Sequence, residues 1–351
     1  MKSQFDSLTK FAERIEQIEK TKNDYMATPR DWGMTKERDI KIFDVGTFGL
    51  TEHAENQIAD HYKIPRKYYE ATKQVPGLTA QNVNAWGEQD FDERRLLRTL
   101  DGNVRAFLSD KFKPIDNYDV LMESVFPVFE PMMKDIEFKS MALSEKRMYL
   151  QFVIKKFEVE VRKGEVISYG GTITNSEVGK GSLNVESWLY YYICDNGMAR
   201  NNIFKKYHVG RRVSEDDNFH IWKSDTLKAE LKGYKLRMRD VLDATFTQEN
   251  FDLEIAKING AIRDEVKNPI PVIQNVTKRF GLTDSDGESI MADMVERNSF
   301  TRWGVANGIT ALAHSMENTD RQYKLERIGG ELLDIKEAEW KYITEDTIKV
   351  A

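Results

Sequence analysis

Asn196 to Ser214 carries Arg200, Lys205, Lys206, Arg211 and Arg212 and no carboxylate, with Phe204 and Tyr207 interleaved among the cations. Cations that neutralise phosphates and flat rings on which bases stack are the two components of a single-strand nucleic-acid binder. A second run, Arg94 to Lys113, sets Arg94, Arg95, Arg98, Arg105, Lys111 and Lys113 against only Asp101 and Asp110. The competing reading is that these side chains solvate loops while the aromatics of Trp188 to Tyr192 fill a core. That reading is preferred for Trp188 and Tyr192. For Lys205, Lys206, Arg211 and Arg212 the local excess opposes the chain's net charge of −6, which favours a binding role.

Other chemistry finds less support. The chain has neither a Gly-x-x-x-x-Gly-Lys-Ser/Thr phosphate loop nor a Gly-x-Gly-x-x-Gly turn, which argues against an ATPase or a dinucleotide enzyme. His53, His61, His208, His220 and His314 include no pair at zinc-protease spacing, and Cys194 is the only cysteine. "TDSDGES" (283–289) lacks the rest of a calcium loop and reads as a helix start with Asp284 or Ser285 as cap. A metal-dependent nuclease would need converging carboxylates. Glu158 and Glu160 instead fit the alternation of a half-exposed strand, and Asp116 and Asp119, near Asp110, fit a helix cap and first turn. No metal and no cofactor are expected.

The 351 residues include no apolar run near the ~20 needed to span a bilayer. The charged start lacks a signal region and a lone cysteine suits a reducing compartment, so a cytoplasmic protein is expected. With a sequence pI near 5.6, any nucleic-acid contact must come from a local patch.

The elements that would position these residues follow from periodicity. Phe5, Leu8, Phe11, Ala12, Ile15 and Ile18 mark an amphipathic helix over Phe5 to Lys22, read as a docking arm. Short strands are predicted near Ile40 to Phe43 and Gly46 to Leu50, then helices from about Thr51 and from Pro65. Arg94 to Leu100 is predicted helical, Asn103 onward a strand, and Asp116 to Phe129 a helix. From Lys146 to Asn175 the period becomes two. Leu150, Phe152 and Ile154 share one parity and Phe157, Val159 and Val161 the other, which predicts a bulge across Lys155-Lys156. A turn at Lys163-Gly164, a strand over Ile167 to Thr174, a reversal at Gly179 to Gly181 and a short strand at Leu183 to Val185 follow. Val185, Trp188, Leu189, Tyr192 and Ile193 are spaced as one helical face, with Asn196-Gly197 as its stop. Beyond Ser224 the pattern is helical, broken at Asn268-Pro269, Gly281 and Gly304. The expected class is α+β, a small antiparallel β-sheet packed with helices and followed by a mostly helical C-terminal part. The expected divisions are an N-terminal arm with short strands (1–63), an α+β core (64–214) and a helical part (215–351).

The phrases "IPRKYYEA", "NVNAWG", "LLRTLDGNVRAFLSDKFKPIDNYDVL", "ICDNGM" and "TRWGVANGITALAH", spread from Ile64 to His314, resemble the phage- and plasmid-encoded family called domain of unknown function 932 (DUF932). Where that family commonly has Val-Cys-Thr/Ser-Asn, this chain has Ile193-Cys194-Asp195-Asn196. The resemblance implies a phage or other mobile-element protein working in a bacterial host cell. The strand-strand-strand-helix order expected for Arg147 to Gly197 is also distantly similar to phage single-strand annealing proteins of the Redβ, RecT and Rad type, whose rings or filaments hold a strand in a basic groove. That likeness is of fold only. The expectation is an ATP-independent, non-enzymatic, oligomeric single-stranded DNA-binding and annealing protein of recombination. Arg105, Lys111, Lys113, Arg200, Lys205, Lys206, Arg211 and Arg212 would hold phosphates, with Phe204 or Tyr207 stacking on bases. The alternatives are the metal-dependent nuclease and a protein-binding module that inhibits a host defence.

Overall fold

The computed structural model describes residues 3–89, 91–112, 114–192, 196–206 and 224–345. In chain order the first part runs β1 (Ser3–Gln4), α1 (Leu8–Thr21), β2 (Asn23–Ala27), β3 (Trp32–Met34), β4 (Ile40–Ile42), β5 (Gly46–Leu50), α2 (Glu52–His61), α3 (Arg66–Thr72), α4 (Leu78–Gly87), β6 (Arg95–Leu100) and β7 (Asn103–Ser109). A broken helical run follows: α5 (Asn117–Asp119), a π-helical segment (Val120–Val125), α6 (Phe126–Phe129) and a 3-10 segment (Glu130–Asp135). Then come the long strands β8 (Ile136–Leu143), β9 (Met148–Arg162), β10 (Glu165–Asn175), β11 (Leu183–Tyr191) and β12 (Asn196–Lys206). The chain continues as α7 (Ser224–Thr245), α8 (Gln248–Arg263), α9 (Pro269–Phe280), α10 (Asp284–Glu296), α11 (Arg302–His314), α12 (Thr319–Asp334) and α13 (Glu337–Thr344). The class is α+β with a helical C-terminal region, as expected.

The strands form two sheets rather than one. The larger is an antiparallel sheet in the order β1-β8-β9-β10-β11-β12; the smaller has the order β2-β6-β7-β5-β4-β3, with β5 and β7 parallel. Strands on both sides of residue 63 belong to the smaller sheet, so the expected division there falls inside one structural unit; the division at 214 lies outside the described residues. The predicted bulge in β9 is present. Val153 pairs with Gly170 and Glu158 with Ser168, so β9 carries extra residues across Lys155-Lys156.

One face of the larger sheet supplies the main core. Phe152 packs edge-on to Phe129 of α6 (4.6 Å between centroids) and to Phe246 (5.3 Å), while Tyr169 stacks on Phe251 of α8 and Tyr191 meets Trp303 of α11. Helix α1 also closes this core, with Phe11, Ile15 and Ile18 buried in it. Its apolar stripe is therefore spent on its own chain, which corrects the reading of a free docking arm. The opposite face mixes a buried cluster of Val153, Trp188, Tyr190 and Ala199 with polar groups and lies under α12, where the Tyr323 hydroxyl donates to Glu186 at 2.5 Å.

Two predicted helices are strands. Arg95 to Leu100 pairs with β2 and β7. Leu183 to Tyr191, predicted to turn helical after Val185, is a strand buried at every position. Both of its faces are covered, so Trp188 to Tyr191 are apolar without a break and the two-residue alternation that betrays a half-exposed strand is lost there. Gly197 is no helix stop; it opens β12 opposite Tyr190. A Cβ there would stand 1.8 Å from the Trp188 indole ring, so Gly197→Ala is expected to cost about 1–3 kcal/mol by overpacking, measurable by urea unfolding.

The C-terminal helices carry their own boundary signals. Asn268-Pro269 starts α9 and left-handed Gly281 ends it. At "TDSDGES" the cap is Thr283, one residue before those expected, in a reciprocal capping box with Asp286 (3.2 and 2.9 Å). Among the described residues no helix is long and apolar enough to cross a membrane.

Candidate nucleic-acid interface

Two of the expected phosphate-binding cations, Arg105 and Arg200, lie inside the protein. Arg105, on β7, is only 8% exposed and donates to Glu177 at 2.6 Å. Arg200, on β12, is also buried. It pairs with Glu254 of α8 at 2.6 Å and Asp334 of α12 at 2.8 Å, tying the edge of the larger sheet to the C-terminal helices. Arg98 is fully buried and donates to Asp24, Asp116 and the Glu177 carbonyl, each at 2.8 Å, pinning the two sheets together. Arg200, spent on buried ion pairs, is therefore not a groove cation as expected, and Arg105 lies inside the protein rather than on an open surface, with one nitrogen on Glu177. Each satisfies carboxylates brought in from distant parts of the chain.

Asp116 stands at the cap position of α5 without capping through its side chain; its carboxylate goes to Arg98 and Lys22. Burial would raise the Asp116 carboxyl, but those two cations hold it below the usual carboxylate range.

Of the remaining predicted contacts, Lys111 is exposed just after β7. Phe204, Lys205 and Lys206 close β12, where their backbones lie opposite Val185, Asn184 and Leu183. Lys113, Tyr207, Arg211 and Arg212 lie outside the described residues.

The described surface offers a cationic groove that the sequence reading missed. It has a volume of about 500 Å³ and runs between the start of β9 (Arg147), the β10–β11 turn (Lys180), the end of α9 (Arg279 and Phe280) and one face of α12. On α12, Asp320, Tyr323, Lys324, Arg327 and Glu331 recur at three- and four-residue spacing, which puts them on one side of the helix. Five cations thus meet two carboxylates, and one of those, Asp320, already accepts from the Tyr149 hydroxyl. Arg279 also pairs with Glu339 at 2.7 Å, and Arg327 lies 3.5 Å from Glu331 and 3.6 Å from Glu186. Lys180 and Lys324 are exposed. Phe280 supplies a half-buried ring, with the Arg279 guanidinium 5.6 Å from its centroid. Arg147 is held in place by the turn beside it. Its guanidinium donates to the Lys180 carbonyl at 2.9 Å and lies so close to Gly181 that a Cβ there would meet it at 2.7 Å. The β12 backbone reaches the same edge, because Lys206 pairs with Leu183 immediately beyond this turn.

Only the α9 segment shows a small charge excess of its own, with Lys278 and Arg279 and no carboxylate. Helix α12 mixes signs, Arg147 follows Glu145, and only the fold gathers the cations. The other local signal was the spacing of Lys324 and Arg327 on a helical face.

A smaller cavity of about 160 Å³ lies between the larger sheet and helices α11 and α12, with Gln151, Trp188, Tyr190 and Glu326 in its walls. Glu326 is 3% exposed and accepts from Gln151 at 2.6 Å and Gln322 at 3.2 Å. Burial pushes its carboxyl up to about 8, so it carries a proton at neutral pH. Trp188 is buried, as expected of a core residue, and Lys139 sits over the Tyr190 and Tyr192 rings at 4.2 and 4.6 Å.

The carboxylates weighed for a nuclease are not brought together. Glu158 accepts from Ser168 and Tyr192, Glu160 from the Gly164 amide, and Asp119 pairs with Lys235. Among the described residues no three His, Cys, Asp or Glu side chains form a group able to hold a metal ion. Comparison of the chain with protein-family models, curated proteins and solved structures returned no match.

Proposed function

We propose that the protein binds single-stranded DNA and promotes its annealing, without ATP and without bond-breaking chemistry, in the recombination or replication of a phage or other mobile element. The observation that carries this reading is the groove in which Arg147, Lys180, Arg279, Lys324 and Arg327 face two carboxylates on a chain whose net charge is negative. Many separate cations suit a strand held by its backbone, with its pairing edges left free for a complement. Phe280 offers a ring for stacking. Lys205 and Lys206, whose backbones end β12, and Arg211 and Arg212, which lie outside the described residues, are the further cations this reading assigns to the strand. Assembly into a ring or filament would repeat the groove along one strand and multiply weak contacts into high avidity. The mobile-element setting and the bacterial cytoplasm follow from the family resemblance.

The test is a salt titration of single-stranded DNA binding by K180A/K324A, whose parent side chains are exposed. If each lysine neutralises one phosphate, the slope of log K on log salt falls in magnitude by about 1.4, at ~0.7 per phosphate. An unchanged slope and affinity would remove the groove from the account.

A further inference from the structure

Next to the groove, and sharing Arg147 with it, lies a cleft of about 220 Å³ where α1, the β6–β7 turn, the β8–β9 hairpin and the segment after β10 converge. Its walls hold Arg14, Arg105, Lys146 and Arg147 against Asp101, Glu145 and Glu177, so overall charge says little about a ligand. The hydrogen bonding says more. Asp101 is taken by Arg14 at 2.8 Å, and Glu177 by Arg105 at 2.6 Å and the Asn117 amide at 2.7 Å. Arg105 uses only Nη1 in this way. Its Nε and Nη2 are sealed from solvent and have no acceptor.

A guanidinium buried with most of its donors unspent is costly unless an acceptor reaches it. Arg105, on β7, is such a group, and Arg147, on β9, lines the same cleft with Lys146 beside it. A carboxylate offers two oxygens in one plane. A tetrahedral dianion offers oxygens to donors arriving from several sides, which suits two arginine forks on different strands. We propose that this cleft is a phosphate site, in which Arg105 and Arg147, assisted by Lys146, hold the oxygens of a phosphomonoester. Because Arg147 also lines the groove, the ligand is the terminal phosphate of a strand lying there. That identification rests on the strand-binding reading, whereas the phosphate site itself does not.

The test is calorimetric titration of the full chain, in phosphate-free buffer at fixed ionic strength, first with inorganic phosphate and then with oligonucleotides bearing a 5′-phosphate, a 3′-phosphate or hydroxyl ends. R105K keeps a cation for Glu177 while removing the spare N–H fork, and R147Q removes the shared charge; melting curves establish that each variant is folded. Saturable binding of one phosphate per chain, weakened about ten-fold or more in folded R105K and R147Q, supports the site. No saturable phosphate binding, or equal binding by both variants, overturns it. Tighter binding of one end-phosphorylated oligonucleotide than of the hydroxyl form, with the gain lost in R147Q, supports the strand end as ligand; no gain at either end overturns that assignment. Phosphate binding with no oligonucleotide binding at all would sink the strand-binding reading and leave the phosphate site standing.

Discussion

Replacing Glu326 by Gln is expected to flatten the pH dependence of stability between about pH 5 and 8 and to stabilise the protein above pH 8 by up to about 5 kcal/mol. Glu326 is nearly inaccessible, its hydrogen-bond partners are the neutral amides of Gln151 and Gln322, and burial pushes its carboxyl up to about 8. In the unfolded chain the group titrates near its ordinary value of 4.5. A raised folded pKa means that the native state holds the proton over that interval while the unfolded state releases it. The contribution is therefore complete below the unfolded value and is lost as pH rises through about 8. A gap of this size corresponds to about 5 kcal/mol at ~1.4 kcal/mol per pH unit, as an upper bound. Gln mimics the protonated acid, and a flip of the Gln322 amide would give its NH2 an acceptor. Urea unfolding of both proteins from pH 5 to 9 measures the effect; parallel curves would show that Glu326 is ionised in the native state.

Arg98→Met should destabilise the protein by about 3–5 kcal/mol in chemical denaturation at neutral pH. The loss of the pair matters less than what is left behind. Asp116 is buried beside Arg98, Asp24 loses its partner, and the Glu177 carbonyl loses its donor. The pH signature has the opposite sign to that of Glu326. The Asp116 carboxyl, which burial would raise, is held low by Arg98 and Lys22, so its contribution is present above its unfolded value and lost as pH falls through the folded one. Acid should therefore narrow the gap between Arg98→Met and the parent. A gap that stayed constant down to pH 3 would mean the network is not what the arginine supports.

Much of the fold was legible because local signals were complete where they occurred. Beyond residue 224 the expected breaks at Asn268-Pro269 and Gly281 stand at the ends of α9, whereas Gly304, also expected as a break, lies in the first turn of α11 after the cap Thr301. The β9 bulge could be placed because parity switches at Lys155-Lys156. The failures have one physical root, which is tertiary burial. Arg94 to Leu100 has a helix-forming composition, but its place between β2 and β7 overrides propensity. Trp188 to Tyr191 was spaced like a helix because a strand covered on both faces need not alternate.

The site was harder to read for the same reason. A run of arginines looks like a binding patch when the partners of Arg105 and Arg200 lie 72, 54 and 134 residues away. The groove, conversely, draws its cations from four segments that only the fold brings together.

The central claim, that the groove holds a single strand through its phosphates, is tested most directly by the affinity of the unmodified protein for a fluorescent single-stranded oligonucleotide across a range of salt concentrations. If the five groove cations each release a counterion, log K falls linearly with log salt with a slope near −3.5, at ~0.7 per phosphate. Absence of binding at low salt, or an affinity indifferent to salt, would contradict the claim.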